Sequence, residues 1–103
     1  MNPTAKEIIE ETAHVFDVEQ DEITGKRMFP QIVSARFAAA LLLRTIPVSG
    51  SGRQRSISDV GMRLGRHDYS SVRHTIRRGA EEALSNSEFA EALVIIKRRL
   101  GVQ

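Results

Sequence analysis

From Ala35 to Ile46 the chain reads Ala-Arg-Phe-Ala-Ala-Ala-Leu-Leu-Leu-Arg-Thr-Ile, and only Arg36, Arg44 and Thr45 interrupt the apolar run. Ser34 stands just before it as a candidate N-cap. A helix that is apolar nearly all round has no face to give to water, so it belongs at the centre of a core, wrapped by other elements. A chain of 103 residues builds one such core and not two, which predicts a single domain over residues 1–103.

The wrapping elements are legible as helices. Pro3 suits a first helical turn with Asn2 as its cap, and Ala5, Ile8, Ile9, Thr12, Ala13 and Phe16 recur at helical spacing, predicting a helix over about 3–16. Residues 17–32, with Gly25, Lys26-Arg27 and Pro30, read as a loop holding at most one short helical turn. Residues 47–55, Pro-Val-Ser-Gly-Ser-Gly-Arg-Gln-Arg, have the composition of a flexible basic loop. Ser56 and Asp59 form a capping-box pattern ahead of a short helix over about 57–64 that stops at Gly65. Asp68 caps the next helix, about 69–84, with Val72, Ile76, Ala80 and Ala83 on one stripe and Arg73 and Arg77 on another. Ser87 caps the last, about 88–100, with Phe89, Leu93, Ile96 and Leu100 inward. No segment alternates with period two, so the expected class is all-α, with five or six helices.

Charge is distributed unevenly along this framework. Residues 1–25 carry one lysine against seven acids, a net −6, whereas residues 26–79 carry eleven cations against Asp59 and Asp68, a net +9. Residues 80–103 come to −1. Ten of the eleven central cations are arginine, whose planar fork suits phosphate and guanine, so a polyanion is the leading partner for the middle of the chain.

Other chemistries lack their residues. Without cysteine there is no disulfide, thiolate zinc site or cysteine nucleophile, which favours an intracellular protein. The longest apolar stretch, Phe37 to Leu43, is far short of a membrane span, and the first residues do not form a signal peptide. Gly50-Ser51-Gly52-Arg53 lacks the Lys-Ser/Thr ending of a phosphate loop, and no serine or carboxylate pair is arranged for catalysis, so no enzyme and no cofactor are expected. His67, Asp68 and His74 have no third and fourth partner in register for a metal. His14 reads as surface, and His74 as a half-buried packing residue.

Two helices around a glycine turn, the second basic and polar on its outer side, make a candidate helix-turn-helix, in which the second helix enters the major groove of DNA. Its amino-terminal end carries Arg66, His67, Asp68, Tyr69, Ser70 and Ser71, all capable of hydrogen bonding. The run from Ser56 through Val60-Gly61 and Leu64-Gly65-Arg66 to Asp68-Tyr69-Ser70-Ser71-Val72-Arg73-His74 resembles the carboxyl-terminal DNA-binding domain of the bacterial replication initiator DnaA. The family pattern has Ser-Leu-Pro-Glu-Ile-Gly, a Phe-Gly-Gly-Arg turn and Asp-His-Thr-Thr-Val with a histidine two residues on. Gly25-Lys26-Arg27 resembles its basic loop and Ser34-Ala35-Arg36 the start of its Ala/Leu-rich helix, and the likeness extends over about residues 5–100.

The resemblance implies a Trp-repressor-like helical fold that reads double-stranded DNA. It implies base contacts from Asp68, Tyr69 and Ser70, backbone contacts from Ser71 and Arg36, and an approach of Lys26 and Arg27 to the adjacent minor groove. From charge and position, Arg66, Arg73 and either Arg53 or Arg55 are further phosphate contacts. Where the family has His-Thr-Thr this chain has Tyr69-Ser70-Ser71, and Met28 replaces a third basic loop residue, so the preferred site is expected to differ from the initiator's own. The initiators carry an ATPase module ahead of this domain, for which 103 residues leave no room. The expectation is a small regulator of transcription or replication in a bacterial or phage-like nucleoid. The competing reading is an interaction module that keeps the fold and binds an initiator or another replication or transcription protein. No heptad repeat supports a coiled-coil dimer.

Overall fold

A computed structural model describes residues 2–102. Six helices follow in order: α1 (Ala5–Phe16), α2 (Gln20–Thr24), α3 (Pro30–Thr45), α4 (Ile57–Arg63), α5 (Tyr69–Ser85) and α6 (Ser87–Leu100), with no strand among the described residues. The all-α class holds.

The apolar segment is the hub. Ala35, Ala38, Ala39, Ala40, Leu42 and Leu43 of α3 are all buried, and α3 packs against each of the other five helices. Leu42 and Leu43 meet Ile8 of α1, Ile23 of α2, Val60 and Leu64 around α4, and Ile96 of α6 in one apolar cluster. Its closest neighbour is α5, and the reason is Gly79. A Cβ there would lie 2.6 Å from the Phe37 carbonyl oxygen, so only glycine lets the two backbones approach so nearly. The inward stripe of α5 is therefore Val72, Ile76, Gly79 and Ala83, while Ala80, expected on it, is exposed. Arg78 lies over the Phe37 ring at 5.5 Å, covering the outer edge of the same contact.

Three helix starts, those of α1, α3 and α6, differ from expectation. Helix α1 begins at Ala5, capped by Thr4: the Glu7 N–H donates to Thr4 Oγ1 (3.2 Å) and the Thr4 N–H donates to Glu7 Oε1 (2.9 Å). That reciprocal pair satisfies two free donors at once, more than Asn2 with Pro3 offers. The Glu7 carboxylate, accepting from the Thr4 backbone, is held below the usual glutamate range. Helix α3 starts at Pro30, four residues ahead of the Ser34 cap, with the ring in the first turn, where its missing N–H costs nothing. Asn86, not Ser87, caps α6 through Oδ1 to the Phe89 N–H (3.2 Å) while also ending α5. Phe89 then stacks at a tilt on Phe16, ring centres 6.0 Å apart, and Arg99 pairs with Glu11 to close α6 onto α1.

Candidate nucleic-acid interface

Short-range chemistry builds the unit from α4 to α5. The Asp59 N–H donates to Ser56 Oγ (3.0 Å), starting α4, and Gly65 at φ 72° ends it in a conformation other residues adopt only under strain. The chain then turns back, the Arg66 N–H donating to the Gly61 carbonyl (2.8 Å). Gly61 is buried where α4 crosses α5: a Cβ there would lie 2.7 Å from Val72 Cγ2 and 2.9 Å from the Arg66 carbonyl oxygen. Its lack of a side chain fixes how closely the two helices cross. Asp68 starts α5 by accepting from the Ser70 N–H through Oδ1 (3.1 Å).

The start of α5 is presented outward. His67, Asp68, Tyr69, Ser70 and Ser71 are consecutive and exposed, and Val72 behind them is buried. Arg73 and Arg77, a turn apart on the outer side, are exposed as well. His74, expected to be half-buried, is exposed beside them; its spacing from Val72 puts it on the outer face of α5. A shallow cavity lined by Ser58, Met62, His67 and Tyr69 lies in the angle between α4 and α5.

The arginines divide into two groups. Arg53, Arg73 and the Lys26-Arg27 pair are exposed, with Arg27 only loosely held at 4.0 Å from the Glu22 carboxylate. Arg36, Arg55 and Arg66 point inward. Arg36, expected on phosphate, is 5% exposed, its Nε donating to the Ile23 carbonyl (2.9 Å) and its Nη2 to those of Glu22 (2.9 Å), Arg27 (3.0 Å) and Gly25 (3.2 Å). The cause is α2. A five-residue helix has nearly all its carbonyls at an open end, and one guanidinium fork satisfies several of them. Burial, with Arg66 nearby, lowers the Arg36 pKa.

Arg55 needs the same correction. It is 5% exposed and closes the carboxyl end of α3 by donating from Nη1 to the carbonyls of Ile46 (3.0 Å) and Leu43 (3.4 Å), and burial lowers its pKa too, against the opposing pull of Asp59. Of the alternatives Arg53 or Arg55, only Arg53 has its head in solvent. Arg66 is half-buried and bridges two parts of the chain: its Nη1 donates to the Thr24 carbonyl (3.2 Å) and its Nη2 to that of Gly25, tying the α2–α3 loop to the α4–α5 turn. These inward roles were not legible in the sequence, because an arginine that caps backbone carbonyls has no partner side chain to mark it. Gly61 and Gly79 did leave a signal, a glycine inside a helical pattern.

Among the described residues, no group of three His, Asp or Glu side chains is placed to hold a metal, and no helix is long and apolar enough to cross a membrane. A short helix, a glycine turn and a second helix with a polar, basic outer face, docked on a central apolar helix, define a helix-turn-helix domain of the DNA-binding class. The family of the bacterial dnaA protein helix-turn-helix matches residues 5–78, more than two thirds of the chain, and the protein belongs to it. The match ends within α5, so the last turns of that helix and α6 lie outside it.

Proposed function

We propose that this protein binds double-stranded DNA selectively, with the start of α5 in the major groove. Asp68, Tyr69 and Ser70 address base edges. Asp68 spends Oδ1 on its own helix cap, and Oδ2 accepts from an exocyclic amine of cytosine or adenine. The Tyr69 hydroxyl and ring, 54% exposed, contribute one polar and one apolar contact. Ser71, Arg73 and Arg53 take phosphates on either side, and Lys26 and Arg27 approach the adjacent minor groove, where narrow A·T-rich segments concentrate negative potential. Arg66 acts on DNA through the loop it holds. Catalysis is no part of this reading. The role is that of a small regulator of transcription or replication in a bacterial or phage-like nucleoid.

The observation that carries the reading is the exposed run His67–Ser71 at the start of a helix whose next residue, Val72, is locked in the core. Five polar side chains are thereby aimed outward from a rigid support. Fluorescence anisotropy on random-sequence duplexes tests it. With about four to five phosphates neutralised, affinity falls with salt at a logarithmic slope of roughly −4, a loss of about 250-fold between 50 and 200 mM. Absence of binding at low salt overturns the reading. Selection from a random library then defines the site, and Tyr69→Ala changes which sequence is selected, whereas Arg73→Ala weakens all sequences alike.

A further inference from the structure

Among the large apolar side chains that the fold leaves exposed, Met28 and Phe29 are adjacent in sequence, 73% and 63% exposed. They follow directly on Lys26 and Arg27, also exposed. We propose that Met28 and Phe29 form an apolar wedge that enters the minor groove beside the reading helix and parts a base step. The proposal rests on the DNA-binding reading above and adds to it a second, differently acting contact.

Three observations support it. The loop's backbone is braced from within: Arg36 donates to the carbonyls of Glu22, Ile23, Gly25 and Arg27, and Gly25 also accepts from Arg66. Pro30 opens α3 immediately after Phe29, fixing the chain on the other side. A wedge works only on such a support, since on a slack loop the same side chains would fold back onto the core. Second, the brace includes Arg66, three residues ahead of the first residue of α5. The loop is therefore held next to the helix that takes the major groove, and the neighbouring groove lies only about half a helical turn away, roughly 17 Å.

Third, the chemistry matches one occupant. Lys26 and Arg27 draw the loop to a polyanion, while the Phe29 ring has no hydrogen-bonding atom for a base edge and the Met28 sulfur, a weak acceptor, already faces Arg36 Nη1 at 3.7 Å. What they offer is apolar, polarizable surface, which minor-groove proteins insert between bases. Pyrimidine–purine steps unstack most easily, so the wedge selects a TA or CA step at its position without reading it by hydrogen bonds.

The test uses duplexes of about 20 base pairs, two turns, taken from the library selection, with 2-aminopurine replacing one adenine at a time. This base fluoresces when it loses its stacking neighbours. The wild-type chain is expected to raise fluorescence at one step flanking the major-groove site. The Met28→Ala/Phe29→Ala double variant is expected to abolish the rise and weaken binding by less than about tenfold, because unstacking offsets most of the apolar gain. Phe29→Leu keeps the rise, and thermal melting verifies that the variants are folded. Duplex binding by the wild type without a rise at any position overturns the wedge and leaves the DNA-binding reading standing. Persistence of the rise in the folded double variant overturns it as well. So does a double variant that changes only self-association in sedimentation, which would make the patch a protein contact. Failure to bind duplex at low salt overturns both readings together.

Discussion

The two loops that flank α3 are made of similar material and end differently. Residues 25–29 and 47–55 both contain glycine, a proline nearby and two cations, and each is anchored by one deeply buried arginine. In the first, the anchor comes from α3 itself: Arg36 reaches back to four carbonyls, and Arg66 adds a tie to the turn before α5. In the second, the anchor lies in the loop: Arg55 closes the end of α3, and the rest turns on itself, the Val48 N–H donating to the Arg53 carbonyl (2.7 Å) and the Gly52 N–H to that of Val48 (3.1 Å). One loop is fastened to the turn before α5, and the other to the end of α3 and, through the Arg55–Asp59 ion pair (3.8 Å), to α4. On the proposed DNA-binding reading, the partner to which a basic loop is tied matters more than how basic it is.

That contrast can be broken most forcefully at Arg36. Arg36→Met leaves four carbonyls without their donor and is expected to cost about 3 kcal/mol, read by urea unfolding, and to weaken DNA binding even where the protein remains folded. Arg55→Met removes two such bonds and is expected to cost about 2 kcal/mol, with the affinity of the folded protein unchanged. If both variants lose DNA binding equally, the two loops are not functionally distinct.

Smaller effects sharpen the comparison from the outside. Lys26→Ala, Arg27→Ala and Arg53→Ala are each expected to alter stability by less than about 0.5 kcal/mol and to lower the salt slope of duplex binding by about one. A change in slope for the first two alone would leave the second loop without a part in binding. The smallest effect lies away from both loops, at the α1 cap. The Glu7 carboxyl is lowered in the folded protein, so its contribution is present above the unfolded value, about 4.3, and is lost as pH falls through the folded one. The thermal midpoints of wild type and Glu7→Gln should therefore differ at neutral pH and converge below pH ~4.

The helix pair that carries the candidate site was more legible than the helices around it, because its signals are local. Ser56, Gly65 and Asp68 act on residues two to three positions away, and the reading of α4 and α5 from them agrees with the structure within a residue. The caps of α1 and α6 were misplaced by one or two residues, since adjacent polar side chains compete and the winner depends on the neighbouring turn. Ala80 and His74 lie on the outer side of α5, against expectation, for another reason. Periodicity does not say that the closest contact would be made by Gly79, a residue with no side chain to mark it.

By itself the sequence determined the all-α class, the central place of α3, the polarity of the chain's charge and the residues at the start of α5. Each follows from hydrophobic period, composition or a cap spanning a few residues. Only the tertiary structure decided which arginines are available to a partner. Arg36 and Arg53 are the same residue type in the same cationic stretch, yet one is enclosed by the open end of a five-residue helix and the other stands in solvent. The reason is that backbone carbonyls, which every residue carries, become strong ligands for a guanidinium only where the fold leaves them unpaired and out of water.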